Sequence, residues 1–322
     1  MEEKIDLVAG RDTASRLDVF VSQHLSLSRS HAARLIGQGR VLVDGARKRP
    51  SFRLKPGMHV SGAWEEEEEA GVLPATETAL DIVHEDPWFV VVNKPPGMVV
   101  HPGAGTGTDT LVNALLARYP EIGTVGDPGR PGIVHRLDKL TSGVMVVART
   151  GQAHAALSAA FKAHAHRREY LAVCYGRMPK KTGTIETFMQ RNPKDRTRMT
   201  SRSGQGRRAV THWEVLAEWQ EFSLLRLRLE TGRTHQIRVH LSDAGHPVAG
   251  DPVYGGRRRA GSVADTRLRM YVKGLGRQML HAATLGIRHP DTGEYMEFTC
   301  DMPDDMKAFL AVLDEIGDVS SP

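Results

Sequence analysis

The chain has 322 residues, of which 40% are hydrophobic and 25% are charged, and its formal net charge at pH 7 is +5. This length and composition predict a globular protein with room for two domains. The two cysteines are too few for a disulfide scaffold or a cysteine-rich zinc module, and we find neither a secretory signal nor an apolar run long enough to cross a bilayer. We therefore expect a cytoplasmic protein without a membrane partner.

The positive charge is concentrated in three blocks of sequence. Residues 14–63 contain nine Lys or Arg against two Asp, and residues 191–208 and 256–277 each contain seven against one. Three separate basic blocks favour contact with the phosphate backbone of a nucleic acid. The alternative for any single block is a solvated surface rich in arginine.

Residues 14–63 are predicted to form a compact module. The spacing of apolar residues predicts a helix over 16–25, and Ser28 is a candidate N-cap for a second helix over 29–37. Residues 39–45 then fit a short strand closed by an Asp-Gly turn. Two short helices, a hairpin and exposed basic residues resemble the S4 RNA-binding domain, although a small structural α+β domain is the alternative. The resemblance implies RNA contacts for Arg29, Arg34, Arg40 and Lys48.

Residues 64–79 are predicted to be an acidic linker. Glu65 to Glu69 is a run of five glutamates, and like charges at this density repel one another and extend the chain. The stretch therefore marks a domain boundary. An alternative role is to mimic a phosphate strand and occupy the basic surface when RNA is absent.

Residues 80–322 are predicted to form a larger domain in which strands dominate. Residues 80–83 and 88–93 flank Glu85-Asp86-Pro87 as a hairpin, and Asp109 is a candidate cap for the helix after it. The helices lack a regular strand–helix–strand rhythm, which favours an α+β fold with a large mixed, mostly antiparallel sheet. Further strands are predicted at 143–149, 169–175, 209–216, 223–230, 278–287 and 295–299, and further helices at 152–164, 235–245 and 304–316.

The segment from His135 to Gly143 contains a carboxylate in an unusual setting. Asp138 lies between Arg136 and Lys139, ahead of two small hydroxyl residues and a glycine. Basic neighbours and turn hydroxyls can hold and aim a carboxylate, so Asp138 is a candidate nucleophile. The alternative is an ordinary turn or N-cap aspartate flanked by surface charge.

Two other segments concentrate polar side chains. Residues 167–173 are a predicted strand that would place Tyr170 and Ala172 on one face. Residues 230–240 carry Arg and His side chains at a glycine turn that leads into a predicted helix.

Other enzyme classes lack their motifs in this sequence. The glycines at 103–107 do not follow a dinucleotide-binding pattern, and we find neither a P-loop nor the serine elbow of α/β-hydrolases. His235 and His240 are five residues apart, which is not the spacing of a zinc-binding helix. We therefore expect neither a metal nor a nucleotide cofactor.

Several motifs together resemble the RluA-type pseudouridine synthases, over roughly residues 80–310. His135-Arg136-Leu137-Asp138 with Thr141-Ser142-Gly143 is similar to one long motif of that family, and residues 231–240 are similar to a second. Leu140 stands where many relatives have an aspartate, at a position where the motif varies. With the S4-like module in front, the chain is most similar to the subgroup that modifies large-subunit ribosomal RNA. Shorter matches lie at Asn93-Lys94-Pro95, Gly250-Asp251-Pro252 and Leu280-His281-Ala282.

The resemblance implies an enzyme that isomerises uridine to pseudouridine in RNA without a cofactor. It assigns Asp138 as the catalytic carboxylate, Arg238 as its ion-pair partner, and Tyr170 as the ring that stacks on the target base. Asp138 would add to C6 of the uracil, attack C1′, or assist a glycal intermediate. The target uridine would have to be flipped out, leaving a space for Arg136 to fill. Further RNA contacts are expected from Arg233, His235 and Arg257.

The expected partner is large-subunit ribosomal RNA or its assembly intermediate, bound by a monomer. Two alternatives stay open: a synthase of this family that acts on other ribosomal sites or on tRNA, and a non-catalytic RNA-binding assembly factor. Intact Asp138, Tyr170 and Arg238 argue against the second alternative.

Overall fold

The computed structural model of the chain describes residues 2–10, 15–25, 27, 29–65, 73–103 and 107–316. The chain divides into two compact units, residues 1–72 and residues 73–322. Each unit has its own hydrophobic core. Within the described residues, no helix is long and apolar enough to span a membrane.

The first unit contains two helices and an antiparallel sheet with the strand order β1-β4-β2-β3. The predicted turn between β2 and β3 is present, because Asp44 and Gly45 both have positive φ, 49° and 74°, as a type I′ turn requires. Strand β1 precedes the predicted module and pairs with β4. Ser28 and the side chain of Arg29 lie outside the described part of the chain. The elements are β1 Glu2–Val8, α1 Leu17–His24, α2 Arg29–Gln38, β2 Val41–Val43, β3 Ala46–Arg47 and β4 His59–Glu65.

Amphipathic spacing explains the core of this unit. Phe20 of α1, Ile36 of α2 and Val60 of β4 are buried together with Ile5 of β1. The predicted acidic linker begins inside β4, because Glu65 pairs with Glu2 of β1. Residues 66–72, which include the rest of the glutamate run, lie outside the described residues.

The second unit is built on one large sheet, which has ten strands within the described residues. Its order is β10-β9-β11-β12-β8-β13-β7-β6-β5, and β14 pairs with β13. The predicted α+β fold with a mixed, mostly antiparallel sheet is confirmed. The strands are β5 Asp81–Glu85, β6 Phe89–Lys94, β7 Ser142–Ala148, β8 Arg167–Tyr175, β9 Thr182–Arg191, β10 Met199–Thr200, β11 Arg207–Glu218, β12 Phe222–Leu229, β13 Leu280–Arg288 and β14 Tyr295–Thr299.

The helices of the second unit begin and end close to the predicted positions where a prediction was made. Thr110 caps α3 in place of the predicted Asp109, because its hydroxyl accepts a hydrogen bond from the backbone of Asn113. Helix α7 was not predicted, and it buries only Leu268 and Val272. The helices are α3 Leu111–Arg118, α4 Gly151–Lys162, α5 Gln236–Asp243, α6 Gly256–Arg259, α7 Thr266–Gly274 and α8 Asp304–Ile316.

The loop that carries Asp138 leads into a parallel contact between two interior strands of the sheet, β7 and β13. Every residue of β7 is buried, as expected for a strand covered on both faces. Ser142 of β7 pairs with His281 of β13, and the Ser142 hydroxyl lies 3.0 Å from His281 Nδ1. Gly143 has a φ of 118°, and a Cβ there would collide with the backbone of Ala282. The loop that carries Asp138 therefore enters the sheet at a position where only glycine fits.

Candidate active site

The loop before β7 is anchored on both sides of Asp138. The backbone N–H of Thr141 donates to the Asp138 carbonyl at 3.0 Å, closing a turn. The carbonyl of Lys139 accepts from the backbone N–H of Gly97 at 2.8 Å. Gln278 donates to the Thr141 hydroxyl at 3.2 Å. The backbone around the carboxylate is therefore fixed by its neighbours.

Lys94 supports the same loop from below the surface. Its side chain is fully buried, and Nζ donates to the carbonyls of Pro95, Met98 and Lys139 at 2.8, 3.0 and 3.2 Å. Burial lowers the pKa of this ammonium to about 7, against a smaller opposing effect of the Asp138 charge. From the sequence, Lys94 was part of a motif, but no contact was predicted for it. Its position at the end of the apolar strand Phe89–Lys94 was the feature that indicated a buried lysine.

Arg238, on α5, joins two carboxylates. Its Nη1 donates to Asp138 Oδ2 at 2.9 Å, while Nε and Nη2 donate to Asp251 at 2.7 and 3.0 Å. Burial opposes the charged form of Arg238, but the hydrogen bonds and charges of both aspartates raise its pKa. Burial acts against the Asp251 carboxylate as well, yet Arg238 and two backbone N–H groups lower its pKa. The expected Asp138–Arg238 pair is thus part of a triad in which Arg238 and Asp251 are buried and Asp138 is partly exposed.

His235 lies beside the other oxygen of Asp138. Its Nε2 is 3.8 Å from Asp138 Oδ1, and its Nδ1 is 2.8 Å from the hydroxyl of Tyr254. That hydroxyl also accepts from the backbone N–H of Met199 at 2.8 Å, so its own hydrogen is directed to Nδ1. Because burial lowers the pKa of His235 as well, we assign the neutral tautomer with Nε2–H facing Asp138. His235 also has a φ of 58°, a backbone conformation rare outside glycine.

A cleft of about 500 Å³ opens over Asp138. Tyr170, on β8, is only 8% exposed and lines it, so this tyrosine belongs both to the core and to the cleft wall. Burial raises the pKa of the Tyr170 hydroxyl, which is therefore neutral at physiological pH.

Arg168 precedes Tyr170 on the same face of β8 and is 8% exposed. Its Nε is buried without a hydrogen-bond partner among the described residues. Burial lowers the pKa of this guanidinium. A buried cation in this state costs free energy, and its place on the cleft wall offers it to a bound ligand.

The structure gathers most of the predicted site residues of the second unit. Arg257 does not line the catalytic cleft; it is exposed, and its Nη2 donates to the carbonyl of Gly276 at 2.9 Å. The exposed Arg34 and Arg40 and the half-buried Lys48 belong to the first unit. The predicted residues that line the catalytic cleft are Arg136, Asp138, Tyr170, Arg233, His235 and Arg238.

The described part of the chain contains no group of three or more His, Cys, Asp or Glu side chains arranged to hold a metal ion. The sequence indicated no role for Asp251 or Tyr254 beyond their place in a glycine-flanked motif. Their contacts to His235 and Arg238 make them part of the site.

Comparison with known proteins is consistent with this geometry. The profile of the family described as RNA pseudouridylate synthase matches residues 88–243, and the S4 domain profile matches residues 15–60, which confirms the predicted S4 resemblance. An uncharacterized RNA pseudouridine synthase of Bacillus subtilis (strain 168) is 40% identical over 98% of this chain and 99% of its own length.

Two further relatives carry the name ribosomal large subunit pseudouridine synthase D. The one from Neisseria meningitidis serogroup A is 42% identical over 97% of this chain and 82% of its own, and the one from Escherichia coli O6:H1 is 41% identical over 97% and 96%. Among solved structures, human RNA pseudouridylate synthase domain containing 1 matches with a TM-score of 0.57 and 29% identity, covering 77% of this chain and 91% of that one.

Proposed function

The chain belongs to the RNA pseudouridine synthase family, a family of isomerases, and we propose that it converts specific uridines of large-subunit ribosomal RNA to pseudouridine. The relatives named for the large subunit match nearly the whole chain, S4 domain included, which supports this RNA as the substrate. The observation that carries the proposal is the Asp138 carboxylate, held by Arg238 at the cleft that Tyr170 lines.

The reaction leaves the atomic composition of the nucleoside unchanged. The N1–C1′ bond breaks, a C5–C1′ bond forms, the proton on C5 leaves, and N1 gains a proton. There is no change of oxidation state and no water is consumed. The protein must therefore orient the base, supply a carboxylate and move a proton, and we infer that no nucleotide cofactor takes part.

Asp138 is proposed as the catalytic carboxylate. Addition to C6, attack at C1′ and assistance of a glycal intermediate all use a carboxylate oxygen directed at the nucleoside. Oδ2 of Asp138 accepts from Arg238 at 2.9 Å, whereas among the described residues the polar neighbour of Oδ1 is the more distant Nε2 of His235, at 3.8 Å. Oδ1 is therefore the oxygen that we assign to the reaction.

Tyr170 and Arg136 are proposed to receive and replace the target base. A stacked uridine cannot reach Asp138, so it must be flipped into the cleft. The Tyr170 ring offers an apolar face for the uracil, and its neutral hydroxyl lies at the edge of that face. Arg136 is exposed at the same cleft and is assigned to the space that the base leaves.

All of the proposed catalytic groups belong to one unit of one chain. This supports action as a monomer. From the proposed ribosomal RNA substrate we also infer that the protein is located in the cytoplasm.

The proposal is tested by pseudouridine formation on large-subunit ribosomal RNA transcripts. Asp138→Asn should lower the single-turnover rate by at least roughly a hundredfold, whereas the control Asp127→Asn, a turn aspartate paired with Arg130, should not. Turnover retained by Asp138→Asn would exclude the assigned role. Mapping of pseudouridines in cellular RNA with and without the gene tests the substrate, and loss confined to tRNA would overturn it.

A further inference from the structure

We propose that a second cleft, lined by Val239, Ser242 and Asp243 of α5, binds a backbone phosphate of the substrate RNA. This inference rests on the proposed function. The cleft has a volume of about 460 Å³ and its lining includes four arginines and a single acid. These charged residues are Arg198, Arg202, Arg258, Arg259 and Asp243.

The cleft is the place where two basic blocks of the sequence meet. Arg198 and Arg202 flank the short strand β10, in the block at 191–208. Arg258 and Arg259 belong to α6, in the block at 256–277. From the sequence of either block alone, a binding site cannot be told from a solvated surface rich in arginine. Their convergence on one concave surface favours a site for an anion.

The positive charge of the cleft is not neutralised by its own acid. Arg202 Nε donates to Asp243 Oδ1 at 2.8 Å, which accounts for that carboxylate. Within the part of the chain that the structure describes, Arg259 donates to a neutral acceptor alone, the carbonyl of Gly245, at 3.0 Å. Three guanidinium groups therefore remain without a carboxylate among the residues that line the cleft.

The donors of Arg198 and Arg258 are the ones that most need a partner or are most available for one. Arg198 Nε is buried without a hydrogen-bond partner among the described residues. Arg258 is exposed, and its guanidinium forms no hydrogen bond or ion pair with the part of the chain that the structure describes. A planar fork of donors matches the oxygens of a phosphate, and binding one would satisfy the buried Nε.

Tyr254 connects this cleft to the catalytic site. Its ring lines the second cleft, with the Arg198 guanidinium 5.3 Å from the ring centroid and that of Arg238 at 5.0 Å. Its hydroxyl is bound to His235 and to the backbone of Met199. A strand whose uridine occupies the catalytic cleft carries phosphates on both sides of it. The second cleft offers cations for one of these phosphates, and Tyr254 links it to His235 and Arg238 of the catalytic cleft.

The test is the salt dependence of RNA binding by the full chain. Binding of a ribosomal RNA hairpin is measured by fluorescence anisotropy between about 50 and 200 mM salt for wild type, Arg258→Gln and the control Arg267→Gln. Arg267 lies in the same basic block but outside the cleft, paired with Glu315 at 2.8 Å. Loss of one phosphate contact should weaken binding by Arg258→Gln and reduce its log–log salt slope by about 0.7 to 0.9. The slope of Arg267→Gln should equal that of wild type.

Two results would overturn the proposal: an unchanged slope for Arg258→Gln, or an equal reduction in both variants, which would indicate diffuse surface charge. Calorimetric titration with inorganic phosphate separates RNA from a free anion. Saturable phosphate binding that Arg258→Gln abolishes, with an unchanged RNA slope, would assign the cleft to the free anion instead. Pseudouridine formation is measured separately. If the salt slope falls but the protein does not modify ribosomal RNA, the phosphate-binding role of this cleft is supported and the proposed substrate is refuted.

Discussion

Asp251 holds the guanidinium of Arg238 by two hydrogen bonds, from Nε at 2.7 Å and from Nη2 at 3.0 Å. Asp251 is fully buried, and its Oδ1 also accepts the backbone N–H groups of Val253 and Tyr254. The arginine is therefore fixed before it meets Asp138, to which only Nη1 is directed. The position of the proposed catalytic carboxylate depends on a residue that does not line the catalytic cleft.

Asp251→Asn should lower both activity and stability. The substitution leaves the buried Arg238 without one of its two carboxylates, at a cost of about 3 kcal/mol in the free energy of unfolding. A misplaced Asp138 should lower the single-turnover rate by about a hundredfold. Glu218→Gln is the control, because Glu218 is a buried carboxylate paired with Lys181 at 2.9 Å away from the catalytic cleft. It should lose stability but keep its rate, and a full rate in Asp251→Asn would contradict the positioning role.

Arg168→Met should stabilise the protein and impair its activity. Methionine removes a buried cation with an unsatisfied Nε, so we expect the free energy of unfolding to rise by about 1–2 kcal/mol. Pseudouridine formation should fall, since the cation faces the cleft. Denaturant unfolding and single-turnover assays measure the two effects.

Arg277→Met provides the opposite case. Arg277 is just as buried, but Nε and Nη2 donate to Asp305 at 2.6 and 2.8 Å. Its loss should lower the free energy of unfolding by about 3 kcal/mol. If Arg168→Met also lowers the free energy of unfolding, as expected for Arg277→Met, then Arg168 has a structural role and the prediction for it is wrong.

Gly143→Ala should destabilise the second unit. Its Cβ would collide with the Ala282 carbonyl between β7 and β13, and a φ of 118° is unfavourable for alanine. We expect a loss of more than about 2 kcal/mol in denaturant unfolding, with a lower rate because the Asp138 loop enters β7 here. Gly151→Ala, at the start of α4 with open space around it, should be neutral or stabilising. Equal stability of the two variants would argue against a close approach at Gly143.

Lys94→Met should change how stability depends on pH. The pKa of Lys94 is about 7 in the folded protein and near 10.5 in the unfolded chain, so between these values the unfolded chain binds the extra proton. Stability of the wild type therefore rises with pH in this window, by about 3 kcal/mol from roughly pH 7 to 9.5. Below about pH 7 both states are protonated, and the contribution is constant.

That rise should be absent in Lys94→Met. The control Lys307→Met, at an exposed lysine of α8, should keep it. Free energies of unfolding at several pH values between about 6 and 10 provide the measurement. The same slope in Lys94→Met and wild type would assign the effect to another group.

The sequence predicted elements well where burial imposes a period. Helix α8 has its predicted bounds, Asp304–Ile316, and β7 differs by one residue at each end. Strand β9 was missed, because most of its residues are exposed or half-buried and its Thr-rich sequence carries no apolar alternation. Strand β1 was missed for a similar reason, since acidic and apolar residues are mixed in it.

The candidate site was predictable only as a set of residues. The motifs indicated Asp138, Tyr170 and Arg238. They gave no means of predicting that Arg238 donates to Asp251, 13 residues later in the chain. Nor did they predict that Lys94 donates to the carbonyl of Lys139, 45 residues later. Such contacts depend on the order of strands in the sheet. Arg257 stays a predicted RNA contact, whereas the structure places its neighbour Arg258 at the second cleft, because consecutive arginines in α6 differ only in the direction that the helix gives them.

The place of β13 in the sheet has a consequence for protein synthesis. It lies between β7 and β8, yet it is made more than a hundred residues after both. When a ribosome has completed α7, Asp138, Tyr170 and Arg238 have all been translated, but the strand that spaces their elements has not. Non-local pairing of this kind forms late. We therefore expect the proposed catalytic groups to be translated before their site can form, and the site to assemble only after β13 has been made.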